Sequence, residues 1–71
     1  MRWLIRRQPY EFVYDSKTGE PDTRWDDLQA AIAMEAESGW EPWALDMKST
    51  FNANFDSLST LGHVWYKMRQ E

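Results

Sequence analysis

The 71-residue chain carries 12 acidic and 8 basic side chains, one His and no Cys, and 15 % of it is aromatic. This length makes one small domain, residues 1–71, with a thin core, since such a chain buries only about 60 % of its unfolded surface. With no Cys, disulfide staples and a thiolate-held zinc are excluded, so dense aromatics or self-association must carry much of the stability.

In chain order, residues 2–8 read as a strand, with Trp3 and Ile5 on one face and Arg2, Leu4 and Arg6 on the other. Pro9 cannot donate to a ladder and is expected at a bulge, an edge or the strand's end. Tyr10, Phe12 and Tyr14 share a face of a second β-like stretch. It either continues the first strand or pairs back on it. Residues 15–22 are dense in turn formers and predict a loop.

A helix is expected over about residues 23–38. Asp22 or Thr23 is placed to cap it, and Asp26, three residues after Thr23, suggests a capping box. Trp25, Leu28, Ile32 and Ala36 fall on one helical stripe. Asp26 and Asp27 suit the positive end of the helix dipole, and Gly39 suits its stop.

Trp40 to about Thr50 predicts a strand, with Glu41, Trp43, Leu45 and Met47 on one face and Trp40, Pro42, Ala44 and Asp46 on the other. Leu61–Arg69 predicts another, with Val64, Tyr66 and Met68 opposite Trp65, Lys67 and Arg69. Between them, Asn52–Ser57 looks like a hairpin tip, reached either by long strands or by a loop over residues 49–60.

The expectation is an α+β domain of order β-α-β-β. Its mainly antiparallel sheet has three strands, or four if Tyr10–Tyr14 stands alone, and one helix packs on one face. The face away from the helix would then show several of Leu4, Trp40, Trp43, Trp65 and Tyr66, an aromatic patch of the kind that marks an interface. A homodimer or higher oligomer through the sheet follows from that expectation.

The net charge of −4 divides as +2 over residues 1–19, −7 over 20–46 and +1 over 47–71. An acidic middle repels phosphate backbones and disfavours general nucleic-acid binding. Asp26, Asp27, Glu35 and Glu37 are the candidates for contact with a basic protein surface. No apolar run approaches a membrane span or the core of a signal peptide, so a cytoplasmic protein is expected.

Gly39-Trp40-Glu41 after the helix, the apolar strand that follows, and the closing His63-Val64-Trp65-Tyr66-Lys67-Met68-Arg69 carry a resemblance. They resemble a family of small bacterial and phage domains catalogued as domain of unknown function number four-one-seven-seven. That family typically opens with a Trp/Tyr-rich strand, ends its helix in Gly-Trp-Glu-Leu and finishes on an aromatic-Lys-Arg strand. Here Pro42 stands where Leu is usual, Met68 interrupts the Lys-Arg ending, and residues 9–22 and 49–60 are longer. The resemblance implies the fold and a self-associating sheet, and implies no reaction.

Catalysis finds little support. A nucleophile–base pair would need His63 with Ser49, Ser57, Ser59 or Thr60. Asp26 with Asp27 and Glu35 with Glu37 do not share a helix face and cannot act as acid and base together. Neither a metal-ligand set nor a phosphate-cradling glycine loop is present, and no cofactor is expected.

Two readings remain, besides a purely assembly role. The first is a non-enzymatic module acting by protein–protein contact as a homo-oligomer, for example a phage inhibitor of a host defence protein. The second is an oligomer that binds a nucleotide-like small molecule, using Trp3, Arg6, Trp43, Trp65 and Lys67 as cations and stacking surfaces, with Arg2 and Arg69 nearby. It requires Arg6 and Lys67 to face a shared cavity.

Overall fold

The computed structural model describes residues 2–70. Strand β1 (Arg2–Asp15) ends in a 3-10 turn over Ser16–Thr18. Helix α1 (Arg24–Glu37) follows, then the strands β2 (Glu41–Asn52) and β3 (Ser57–Gln70). All pairings are antiparallel, in the order β1-β3-β2, which is the α+β sheet with one helix expected.

β1 runs unbroken through Pro9. The strand lies at the sheet's edge, one of the places in a sheet where a missing N–H is tolerated. Tyr10–Tyr14 therefore extends the first strand, adding no fourth strand and covering no second face. β2 and β3 run long, leaving only residues 53–56 as the hairpin tip.

The helix ends as its glycine requires. Gly39 takes φ +90°, its N–H donates to the Ala36 carbonyl at 3.0 Å, and the Trp40 N–H donates to the Glu35 carbonyl at 3.0 Å. These two bonds form the Schellman arrangement that satisfies orphan carbonyls. The start differs from the expected capping box. Asp22 Oδ1 accepts from the Arg24 N–H at 3.0 Å, while the Thr23 hydroxyl donates to Asp27, not Asp26.

The buried stripe of α1 is also rotated from the expected one. Leu28 is fully buried and Ile32 packs on the core, but Trp25 is 62 % exposed and Ala36 faces solvent. Arg24 and Glu35 take the two ends of the stripe, because each finds a partner on or beside the sheet. The core is small: Leu28, Val64 and Tyr66, ringed by Tyr10, Phe12, Ile32, Trp40 and Met47.

β2 does not alternate as its sequence suggests. The register with β3 breaks between Pro42 and Ala44, leaving Trp43 as the extra residue of a bulge. Glu41 therefore lines up with Lys67, while Leu45 and Met47 line up with Val64 and Gly62 on the helix side.

Candidate binding surface

One face of the sheet carries α1, which leaves Leu4, Leu45 and Phe51 on that side partly uncovered, and the other carries nothing among the described residues. Period-two alternation and the pairing register fix what the open face carries. β1 contributes Trp3, Ile5, Arg7, Pro9, Glu11 and Val13. β3 places Arg69, Lys67, Trp65, His63, Leu61 and Ser59 beside them in that order. Trp3, Ile5, Val13 and Leu61 are between 46 and 58 % exposed.

The cations of this face lie over its aromatic rings. The Lys67 ammonium sits 4.6 Å from the Trp3 ring centroid and 3.6 Å from a Glu41 carboxylate oxygen. The Arg7 guanidinium sits 5.6 Å from Trp65. Such pairs keep the aliphatic stems down on apolar surface and the charged heads in water. A shallow recess of about 320 Å³ near the sheet's end is bounded by Trp3, Gly39, Glu41, Lys67 and Arg69.

Of the aromatics expected on the open face, only Trp65 lies there. Tyr66 is wholly buried under the helix, and Trp40 packs on the same core. Leu4 pairs with Met68 on the helix side. Trp43, displaced by its bulge, borders a recess with Ile32, Leu45 and Val64. The odd-numbered residues of β1 supply the rest of the patch.

Arg6 and Lys67 do not share a cavity. Lys67 is the cross-strand partner of Ile5, and Arg6 is that of Tyr66, so the two cations project from opposite faces of the sheet. Arg6 is engaged within the fold. It pairs with Glu35, and its guanidinium lies 4.5 Å from the Trp40 ring and 5.7 Å from the Tyr66 ring.

That ion pair also divides the acidic candidates. Glu35 turns inward to Arg6, whereas Asp26, Asp27 and Glu37 stay exposed on α1, with Asp27 accepting from Thr23 at 3.2 Å. The helix thus offers an acidic outer face of three residues, not four. Asp22 is held below the usual carboxylate range by the hydrogen-bonding Arg24 side chain and backbone. Arg24 in turn donates to the Thr60 hydroxyl at 3.1 Å, tying the helix start to β3.

His63 has Pro9 and Asp46 as cross-strand neighbours, and no hydroxyl stands opposite it. Among the described residues no three His, Asp or Glu side chains gather where they would hold a metal ion, and no helix is long and apolar enough to cross a membrane.

Two residues that shape the surface escaped the sequence reading. Arg7 shares the odd-numbered face with Trp3 and Ile5, a position that simple alternation along β1 assigns. Arg24 is the one cation among residues 20–46, and nothing short of the fold reveals its bond to Thr60. Compared with protein families, with curated proteins and with solved structures, the chain matches none.

Proposed function

We propose that the protein is a non-enzymatic binding module that acts by protein–protein contact and works as a homo-oligomer. The observation that carries this reading is the uncovered sheet face, whose large apolar side chains are about half exposed in a domain with three fully buried residues. An apolar patch of this kind on a small domain is the usual mark of an interface. The sheet's edges are poor docking sites by comparison. Pro9 deprives β1 of one N–H without breaking it, and Pro42 and the Trp43 bulge interrupt β2, devices that discourage edge-to-edge pairing. The acidic outer face of α1, with Asp26, Asp27 and Glu37, stays free for a basic partner when the sheet face is occupied.

A second reading rests on the recess bounded by Trp3, Lys67 and Arg69, where two cations beside an indole suit an anionic planar ligand such as a nucleotide. Native mass spectrometry of the tagged protein from a bacterial lysate tests both. A homo-oligomer holding a second protein in fixed ratio supports the binding module, provided Asp26→Lys/Asp27→Lys/Glu37→Lys releases that protein. A homo-oligomer with a small-mass adduct that Lys67→Ala removes supports the second reading. A bare monomer overturns both.

A further inference from the structure

The open face has a polarity along its strands. One end carries Arg7, Lys67 and Arg69, with Glu41 alone opposing them; the other carries Glu11 and Asp15, with Lys48 alone opposing them, and Asp46 lies at the middle, level with Pro9 and His63. Apolar residues run between the two ends: Ile5 and Trp65 toward the basic end, Pro9 at the middle, Leu61 and Val13 toward the acidic end. Arg7 and Glu11 enter no ion pair among the described residues. They are four residues apart on one strand, about 13 Å, too far to pair with each other.

We propose that this face is self-complementary, and that two copies stack face to face about a two-fold axis perpendicular to the strands, passing near Pro9 and His63. The inference rests on the homo-oligomer reading above and adds its geometry. Rotation about that axis lays β1 over the partner's β1 and β3 over the partner's β3, running in opposite directions. Arg7 then faces Glu11 of the partner subunit twice. Trp65 meets Leu61 of the partner subunit, and Ile5 meets Val13 of the partner subunit.

The other two-fold choice, along the central strand β3, lays β1 over the partner's β2. It brings Glu11 to Lys48 of the partner subunit but stacks Lys67 on Lys67 of the partner subunit and Arg69 on Arg69 of the partner subunit. The perpendicular axis makes a single like pair, Asp46 with Asp46 of the partner subunit. Charge therefore selects the perpendicular axis. Stacked sheets lie about 10 Å apart and cross at about 30°, so the positions nearest the axis keep their overlay while the ends diverge. Arg7, Glu11, Leu61 and Trp65 are each two residues from Pro9 or His63 along their strand, inside the zone that stays overlaid.

Charge exchange tests this by sedimentation equilibrium. Arg7→Glu and Glu11→Arg, both at exposed positions, should each weaken the dimer on the order of tenfold, because each turns two attractions into two repulsions. The double variant Arg7→Glu/Glu11→Arg should recover most of the loss. So should mixing the two single variants, since the mixed pair is complementary at both contacts. A wild-type dimer indifferent to the single changes, or not rescued by the double change, overturns the axis and leaves the homo-oligomer reading standing. A wild-type monomer overturns both, and a trimer overturns the two-fold, which closes on pairs.

Discussion

Arg6 of β1 and Glu35 of α1, 29 residues apart in the chain, form an ion pair over the end of the core, with the guanidinium lying across Trp40 and Tyr66. Arg24 does the matching work at the helix start, through Asp22 and Thr60. The helix is thus held by apolar contact at its middle and by arginine at both ends, which suits a core of three buried residues.

The two partners of that pair should not cost the same to remove. Glu35→Gln leaves a hydrogen-bonding group of the same shape, and the pair is partly exposed, so its loss should amount to under about 1 kcal/mol. Arg6→Ala strips the aliphatic and guanidinium cover from two rings and should cost about 1–2 kcal/mol. Urea denaturation of the two variants checks the order; equal losses would mean that the charge, not the ring contact, dominates.

Tyr66 gives the fold an alkaline limit. Burial first, and then the hydrogen bond with the Tyr10 hydroxyl at 2.9 Å, push its phenol well above the ordinary value of 10.0. Below pH 10 the phenol is protonated in folded and unfolded chains alike, and its contribution is complete. As pH climbs past 10 the unfolded chain releases a proton that the folded chain retains, so stability falls. Tyr66→Phe should cost about 1 kcal/mol at neutral pH through the lost hydrogen bond. It should also flatten the decline above pH 10 relative to the wild type, as read from thermal melts across that range.

Element type and order were legible because their signals are local. Apolar alternation marks the strands, and Gly39 stops the helix where αL geometry is needed. The tight stop follows from the sequence, but the helix's rotation does not. Trp25 is the largest apolar residue of the first turn, and periodicity alone puts it inward. The fold turns it out because Arg24 has Thr60 to reach and Glu35 has Arg6, and both partners are distant in sequence. The bulge at Trp43 was equally invisible, since one extra residue leaves local propensity unchanged while inverting the faces on either side of it. That inversion turns Leu45 and Met47 to the helix side and leaves the open face built mainly from β1 and β3, while the register of those two strands, with Ile5 opposite Lys67 and Arg6 opposite Tyr66, is why Arg6 and Lys67 part company.

Substitutions on α1 report this rotation directly. Leu28→Ala removes a fully buried side chain and should cost about 2–5 kcal/mol, a large share of the stability of so small a domain. Trp25→Ala, at a position 62 % exposed, should cost under about 1 kcal/mol despite deleting more atoms. Melting temperatures ranked the other way would return Trp25 to the buried stripe.

Gly62 sits in the middle of the central strand, level with Tyr10 on one side and Met47 on the other. A Cβ there would lie 1.8 Å from the Asp46 carbonyl oxygen and 2.8 Å from the Met47 Cα. These obstacles are backbone atoms, which no rotamer change relieves, so β2 itself must move away from β3. Gly62→Ala should therefore cost at least about 3 kcal/mol, near the upper end for overpacking, and in a domain this small it should leave much of the chain unfolded. Gly19→Ala is the control. Gly19 also has positive φ, +74°, but nothing lies within 4 Å of its added Cβ, so only the left-handed backbone penalty of about 1 kcal/mol applies. Circular dichroism melts of the two alanine variants separate close backbone approach from backbone conformation. Equal losses at the two positions would mean that β2 yields freely at Asp46, and that the β2–β3 contact is looser than its register implies.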